Sequence, residues 1–209
     1  MATAKDVLKV ARAEIGTKES PSGSNRVKYN TWYYGKEVSG SAYPWCMAFV
    51  QWCFNQAGMP LPYKTASCSA LMRWSVEHGR WVVSDYKPGD VLLFDFGGDG
   101  DPDHVGILDS IEAGKLVSIE GNTSVTSNDN GGCVMERSRR KSTVVGAYRP
   151  DYSEEAEKMD NTPSEWAEEA VTWAKESGLL KGDQYGNLQL HENLTREQMC
   201  VFLYRYSKL

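Results

Sequence analysis

The sequence predicts an α+β protein in which N-terminal helices pack on an antiparallel sheet, followed by a small all-α module. Three observations predict this arrangement. Apolar residues first recur at helical spacing and then give way to short β-branched runs separated by turn residues. Helical spacing returns after an acidic, polar stretch that has no apolar period. We therefore place one domain in residues 1–150, a linker in 151–163 and a helical module in 164–209.

The first domain begins with helices. Residues 4–15 carry apolar side chains on one face, and Gly16 is predicted to end this helix. Residues 46–57 are apolar on almost every face, which predicts a buried helix. A further helix is predicted in "SCSALMRWSVEHG", with Ser67 or Ser69 as its N-cap. The aromatic segment "YNTWYYG" is compatible with either a helix or a strand.

Strands follow the helices. Five short runs are rich in Val, Ile, Leu and aromatic residues and are separated by Gly, Asp and Asn turns. They are "KPGDVLLFDF", "HVGILDSI", "KLVSIEG", "GCVMERS" and "TVVGAYRP". The tetrapeptide "EAGK" between two of them is a plausible hairpin loop, so the sheet is predicted to be antiparallel.

The C-terminal module contains two predicted helices. In "SEWAEEAVTWAKESG", Ser164 is a candidate N-cap and Gly178 is predicted to end the helix. In "LTREQMCVFLYRYSKL", Thr195 and Gln198 have the spacing of a capping box. Two helices and a connecting loop bury little apolar core on their own.

Charge and hydropathy exclude two classes of partner. Residues 1–150 carry 17 basic and 16 acidic side chains, and residues 151–209 carry 6 and 12. Neither part has the dense basic face expected of a nucleic-acid-binding protein. The first residues are too polar for a signal peptide, and no later segment has the length of a membrane span. We expect neither nucleic acid nor membrane as a partner.

The five cysteines do not form the spacing of a disulfide scaffold or of a zinc knuckle. Their number is odd and no C-x-x-C pair occurs. Cys46 and Cys53 would lie roughly 10 Å apart along one helix, which is beyond disulfide reach. A reducing compartment during synthesis fits this pattern best. No role can be assigned from sequence to Cys68, Cys133 or Cys200.

Of the two cysteines in the apolar helix, Cys46 is placed for chemistry. It follows Pro44 at the predicted helix start, where the first-turn N–H groups and the helix dipole stabilise a thiolate. Cys53 lies two turns inside, between aromatic residues, where a thiol acts as a small hydrophobic group. The alternative for Cys46 is that it too is only buried, as free cysteines commonly are.

A nucleophilic cysteine needs a base, and the chain has three histidines. His78 is expected near a helix end, and His191 lies before a helix of the other module. His104 stands at the start of a strand, and the hairpin after it would bring Glu120 and Asn122 of "SIEGN" beside its ring. The alternative is that these two polar residues only belong to a turn.

The segments "PWCMAFVQWC", "KPGDVLLFDF…DHVGI" and "SIEGN" resemble the CHAP family, the cysteine, histidine-dependent amidohydrolases/peptidases of the papain-like superfamily. The resemblance covers most of residues 1–150. It implies that Cys46 is the nucleophile and that His104 is the general base and then the general acid. It also implies that Glu120 orients the imidazole and that Asn122 is a supporting polar group. The related NlpC/P60 family usually has a second histidine as its third residue, so "EGN" favours CHAP.

The resemblance implies hydrolysis of an amide bond in peptidoglycan. Both the bond between the muramyl lactyl group and L-alanine and the peptide bonds of stem or cross-bridge are open to the family. With no signal peptide, the chain resembles a phage-type endolysin that stays in the host bacterial cytoplasm until it is released to the wall. The alternatives are a bacterial autolysin or wall-remodelling hydrolase, and a catalytically silent wall-binding protein.

No cofactor is expected, although the loop "DFGGDGDPD" has oxygen ligands and glycines that suit calcium. The candidate calcium ligands in this loop are Asp95, Asp99, Asp101 and Asp103. The loop lacks the spacing and the bidentate glutamate of an EF-hand, so a tight acidic turn is the favoured interpretation.

The C-terminal module resembles a single S-layer-homology repeat, through "WAEEAVTWAKESGLLKG" and "LTREQMCVFLYR". The resemblance implies contact with a secondary cell-wall polymer or with another repeat, for which the candidates are Trp166, Gly182, Thr195, Arg196 and Glu197. The family usually stacks three repeats and this chain has one. We therefore expect a homo-oligomer, for example a trimer; the alternative is a helical appendage packed on the catalytic domain.

Overall fold

The computed structural model describes residues 2–152, 160–182 and 187–208, and the chain divides into two compact units after residue 153. Residues 153–159 of the predicted linker lie outside the described part. Within the described part, no helix combines the length and the apolar character that crossing a bilayer requires.

The first unit is α+β, as predicted. Its helices are α1 (Ala4–Ala13), α2 (Lys28–Tyr34), α3 (Cys46–Gln56) and α4 (Cys68–Glu77). Ser67 is the N-cap of α4 and accepts a hydrogen bond from the Ala70 N–H. The ambiguous aromatic segment is helical and forms α2, and α1 ends two residues before the predicted end.

The sheet has six antiparallel strands in the order β1-β6-β2-β3-β4-β5. They are β1 (Trp81–Val82), β2 (Val91–Phe94), β3 (His104–Glu112), β4 (Lys115–Thr123), β5 (Cys133–Arg139) and β6 (Val144–Tyr148). The five predicted strands are confirmed, while β1 is too short for a sequence pattern. Ala113 and Gly114 join β3 to β4 with φ of 47° and 78°, as a two-residue type I′ hairpin turn requires.

Helix α3 lies at the centre of the apolar core and packs on β3 and β4 as well as on α1 and α2. Its Phe49 side chain is fully buried, and truncation of such a ring costs about 3–5 kcal/mol. Gly121 of β4 lets the two elements approach, since a Cβ there would lie 2.6 Å from Phe49 Cβ. This contact packs the first turns of α3 against the C-terminal end of β4.

The second unit contains α5 (Glu168–Glu176) and α6 (Arg196–Tyr206). The predicted capping box at Thr195 and Gln198 is confirmed. The predicted N-cap at Ser164 is wrong: a 3₁₀ turn at Glu165–Ala167 precedes α5, and the Ser164 hydroxyl pairs with the His191 ring at 3.2 Å.

The second unit has little core of its own. Among its described residues no apolar side chain is buried. The large apolar side chains that are exposed are Trp166, Trp173, Leu194, Met199, Val201, Leu203, Tyr204 and Tyr206. This agrees with the expectation that one repeat buries little apolar surface.

Candidate active site

Cys46 is the first residue of α3 and is 5% exposed. Trp45, the N-cap residue, makes no side-chain cap bond, so the first-turn N–H groups remain available to an anion. The Met47 N–H is one of the groups that stabilise the Cys46 sulfur as a thiolate. The helix start therefore supplies part of the electrostatic setting that activates a cysteine.

A second buried cysteine acts on the pKa of the first. Cys68 is the first residue of α4, and hydrogen bonding from its thiol favours the thiolate form of Cys46. This bond is the largest influence that holds the pKa of Cys46 well below its usual range, against the opposing effect of burial; the His104 imidazolium adds to it. The same bond, together with burial, raises the pKa of Cys68 well above its usual range. Cys46 is therefore the more acidic of the two thiols.

Cys53 has the opposite environment, although it belongs to the same helix. Its side chain is fully buried in the apolar core, and burial raises the pKa of its thiol well above the usual range. It is thus a packing residue, as its position two turns inside the helix predicts.

His104 begins β3 and is fully buried, with its Nε2 3.1 Å from Glu120 Oε2. Nδ1 has no hydrogen-bond partner of standard geometry among the described residues, and Cys46 is the other group that acts on the ring. Burial disfavours the charged ring, but Cys46 and Glu120 outweigh it and raise the pKa of His104 to about 9. At neutral pH the ring is therefore an imidazolium, stabilised by Cys46 and by the Glu120 carboxylate.

Glu120 is fully buried and receives several hydrogen bonds. Ser118 Oγ donates to Oε1 at 2.6 Å, and Arg139 Nε donates to the same atom at 2.9 Å. A second nitrogen of Arg139 pairs with Oε2. Burial alone would raise the pKa of Glu120, but Arg139 and His104 lower it below its usual range. Glu120 is therefore a buried anion whose Oε2 pairs with the His104 ring, and its role in orienting that ring for catalysis stays a prediction.

Arg139 is a site residue that the sequence patterns do not identify. It ends β5, is 7% exposed, and lies over the Phe96 ring with its guanidinium carbon 4.8 Å from the centroid. The run "RSRR" looks like the solvated end of a strand. One signal in the sequence points to such a residue: a buried glutamate requires a nearby cation. This requirement does not identify which arginine provides the charge.

Asn122 lies two residues after Glu120, yet its side chain is directed to a loop. Nδ2 donates to the Asp129 carbonyl at 3.2 Å, and Oδ1 accepts from the Gly132 N–H at 3.2 Å. Its backbone is in the left-handed region, with φ of 58°, which asparagine tolerates. The structure places Asn122 as a support of the loop beside the site, and a role in catalysis stays a prediction.

The other two histidines have partners of their own. His78 caps the end of α4, with its ring stacked on Trp74 at 4.1 Å and its Nδ1 bonded to the Trp74 carbonyl. His191 belongs to the second unit and pairs with Asp160, its Nδ1 lying 2.6 Å from the carboxylate.

The four calcium candidates lie in one turn, and the carboxylates of three of them accept backbone N–H groups. Asp95 accepts from the N–H groups of Gly98 and Gly100, and Asp103 accepts from those of Phe96 and Gly97. Asp99 accepts from the N–H of Asp101 at 3.0 Å. Across the described part of the chain, no group of three or more His, Cys, Asp or Glu side chains is arranged to hold a metal ion. The requirement for calcium stays a question for experiment.

Gly106 matters because it faces the Glu120 side chain. A Cβ at this position would lie 2.6 Å from Glu120 Cγ, and the carboxylate would have to move. We expect Gly106→Ala to lower the hydrolysis that the sequence predicts by about 10- to 100-fold, since a displacement of about 1 Å in a residue that positions a reacting group has an effect of that size. The control is Gly97→Ala, whose Cβ would meet Asp95 at an ordinary 3.7 Å. Equal activities in the two variants would contradict this assignment.

The five candidates in the second unit do not form one cluster. Gly182 and Glu197 line a cavity of about 550 Å³ that is bounded by residues from 180–182, 187–194 and α6. Trp166 is 89% exposed, Thr195 caps α6 and Arg196 is exposed; none of these three lines the cavity. Their contact with a wall polymer or with a second repeat stays a prediction.

Comparisons with known proteins divide the chain in the same way. Residues 38–122 match the CHAP domain, and residues 159–200 match the S-layer homology domain. No curated protein sequence matches the chain. Among solved structures, wild-type endolysin LysIME-EF1 is similar at 19% identity and a TM-score of 0.49, over 74% of this chain and 67% of that one.

Two crystal structures of Ly7917, one of them with the hydrolyzing product of MDP, are similar at 17% identity and a TM-score of 0.43. Each similarity covers 71% of this chain, and 63% and 62% of the respective Ly7917 chains. The match therefore spans less than two thirds of the length of Ly7917.

Proposed function

We propose that the chain is a peptidoglycan hydrolase that cleaves an amide bond of the bacterial wall, because residues 38–122 match the CHAP domain and residues 159–200 match the S-layer homology domain. One observation supports the mechanism: Cys46, His104 and Glu120 are buried, and His104 Nε2 lies 3.1 Å from Glu120 Oε2. In this setting the pKa of Cys46 is lowered and that of His104 is raised. This is the arrangement of a nucleophile, its acid–base partner and the group that orients the partner.

In the acylation step, the Cys46 thiolate attacks the amide carbonyl carbon and forms a C–S bond. The His104 imidazolium donates its proton to the amide nitrogen, the C–N bond breaks, and the amine leaves. The N–H of Cys46, at the start of α3, is placed to donate to the oxyanion. Glu120 stabilises the imidazolium before the proton transfer and holds the ring afterwards.

In the deacylation step, the now neutral His104 takes a proton from water. The resulting hydroxide attacks the thioester carbonyl, the C–S bond breaks, and the Cys46 thiolate is restored beside an imidazolium. The products are a carboxylate and an amine. Either a muramoyl–L-alanine bond or a peptide bond of the stem or cross-bridge would fit this chemistry.

The test is mass spectrometry of purified peptidoglycan from several Gram-positive hosts after digestion with the wild type and with Cys46→Ala. We expect defined soluble fragments from the wild type alone, and their new termini separate an amidase from an endopeptidase. Cys53→Ala, in the same helix, is the control for effects on the fold. Walls left intact by the wild type but bound by it would favour a catalytically silent wall-binding protein.

For the second unit we propose binding to a cell-wall polymer, supported by its exposed aromatic side chains and its S-layer homology match. Self-association through the same unit is proposed because its described apolar side chains lack a core. Light scattering over a concentration series tests the second proposal, and a monomeric mass throughout would contradict it. Release of the enzyme from a host cytoplasm stays a prediction.

A further inference from the structure

A second buried glutamate contacts the residue that precedes Cys46. Glu19 is 9% exposed, and its Oε2 accepts a hydrogen bond from the Trp45 Nε1–H at 3.3 Å. Trp45 is fully buried and is the N-cap residue of α3, directly before Cys46. Among the described residues, no lysine, arginine or histidine pairs with Glu19. Its carboxyl group is therefore held by N–H groups, one of which belongs to the entry of α3.

The same carboxyl group binds the loop that follows it. Oε2 also accepts from the Asn25 N–H at 2.8 Å, and Oε1 pairs with the Gly23 N–H. Asn30 Nδ2 then donates to the Asn25 carbonyl and to the Tyr43 carbonyl, each at 2.9 Å. Two hydrogen-bonded routes therefore lead from Glu19 to the segment that enters α3, one through the Trp45 indole and one through this loop.

Glu19 also contacts the loop before β5. Its backbone N–H donates to the Gly132 carbonyl at 3.0 Å, and a Cβ on Gly132 would lie 2.6 Å from Glu19 Oε1. The Gly132 N–H donates in turn to Asn122 Oδ1 at 3.2 Å. Asn122 follows Glu120 by two residues in β4. Glu19 thus contacts both the residue before Cys46 and the loop that holds Asn122.

The Trp45 ring is held on its other sides as well. It stacks on Tyr29, with ring centroids 5.4 Å apart, and a Cβ on Gly121 would lie 2.9 Å from its Cζ3. A side chain held on three sides has one orientation. The backbone of the next residue, Cys46, is placed with it, and the Cys46 N–H is the group that the proposed mechanism uses at the oxyanion.

We propose that Glu19 is a positioning residue that acts through Trp45 to set the direction of the Cys46 N–H and of its side chain. Burying a carboxyl group is costly unless its oxygens are hydrogen-bonded, and in return those bonds are directional. Hydrolysis is sensitive to such placement, since a shift of about 1 Å lowers a rate by about 100-fold. The inference rests on the proposed function, but the contact between Glu19 and Trp45 is measured without substrate.

The contact is tested by NMR on the full-length protein labelled with ¹⁵N. The chain has seven tryptophans, and Trp45→Phe identifies the indole N–H signal of Trp45 by its absence. Glu19→Met keeps an unbranched side chain of similar length but removes both acceptor oxygens. We expect the Trp45 signal to exchange slowly with solvent in the wild type, and to shift and exchange faster in Glu19→Met.

The effect on the reaction is tested with initial rates on solubilised peptidoglycan, which separate kcat from KM. We expect Glu19→Met and Trp45→Phe each to lower kcat by about 10- to 100-fold, with KM within about twofold of the wild type. The double variant should fall no further than the more affected single variant, because both changes remove the same contact.

The matched controls make the same substitutions at positions without this contact. Glu37→Met changes an exposed glutamate that pairs with Arg26, and Trp52→Phe changes a half-buried tryptophan of α3 that packs on Tyr29. Both should keep kcat within about twofold of the wild type.

Losses that multiply in the double variant would overturn the proposal, because Glu19 would then not act through Trp45. An indole signal of Trp45 that is unchanged in Glu19→Met would also overturn it. If circular dichroism shows that Glu19→Met does not fold, Trp45→Phe decides alone, since it leaves the backbone bonds of Glu19 in place. A kcat equal to that of Trp52→Phe would then contradict the proposal. A wild type with the expected indole signal but no hydrolysis would contradict the proposed function, while the contact itself stands.

Discussion

Replacing His104 by glutamine is expected to lower peptidoglycan hydrolysis by about 10⁴-fold, which is the scale of losing the acid–base partner of a nucleophile. The glutamine amide preserves a donor toward Glu120 but supplies no transferable proton. It also removes the cation beside Cys46, so the pKa of that thiol should rise. The release of soluble wall fragments measures the first effect, and circular dichroism verifies the fold.

The matched control for this variant is His78→Gln. His78 is exposed at the end of α4 and is stacked on Trp74, and it takes no part in the cluster around Cys46. Its replacement should leave the rate nearly unchanged. If His104→Gln retained activity within about tenfold of the wild type, His104 could not be the acid–base residue, because such residues contribute about 10²- to 10⁴-fold.

Replacing Glu120 by glutamine is the second change with a large expected effect. We expect hydrolysis to fall by about 10⁴-fold at most, as for loss of the orienting carboxylate of other catalytic triads. We also expect the free energy of unfolding to fall by about 3–5 kcal/mol, because the Arg139 guanidinium remains buried without its counter-charge. Chemical denaturation measures the second effect.

The double variant Glu120→Gln/Arg139→Met separates the two effects of Glu120. Removing the unpaired guanidinium should restore much of the lost stability, since an uncompensated buried charge is the main cost of breaking a buried ion pair. Hydrolysis should stay as low as in Glu120→Gln, because the His104 ring still lacks its carboxylate. If activity returned together with stability, Glu120 would be a structural residue only.

Local patterns were sufficient to predict the architecture of the first unit. The apolar period changes from helical to strand spacing where the structure changes from α4 to the sheet, and the hairpin loop and the α4 cap were recognisable. Helix α2 was ambiguous because its aromatic residues suit both helix and strand. The Ser164 cap was wrong because His191, 27 residues away, takes the hydroxyl that a local rule assigns to the backbone.

The sequence predicts only those parts of the candidate site that depend on local patterns along the chain. The helix start marks Cys46, and the β3–β4 hairpin brings Glu120 to His104. Cys68 and Arg139 reach the site from α4 and β5, through tertiary packing and strand register that no local pattern specifies. The role of Gly106 likewise depends on which side chain lies opposite it in the sheet.

The central claim is that Cys46 is a thiolate paired with the His104 imidazolium. The direct measurement is the rate of alkylation of each cysteine by iodoacetamide as a function of pH, read by peptide mass spectrometry in the wild type and in His104→Gln. Because the pKa of Cys46 is lowered, its labelling should already be fast at neutral pH and should slow only on acidification. Cys53, whose pKa is raised by burial, is the internal control and should react slowly throughout.

The two partners also set the pH range of activity. Hydrolysis should rise as Cys46 ionises and fall above pH of about 9, where His104 loses the proton that the leaving amine needs. In His104→Gln, the labelling midpoint of Cys46 should move to higher pH. A labelling midpoint for Cys46 at or above the ordinary thiol value of about 8.5, unchanged by His104→Gln, would contradict the account.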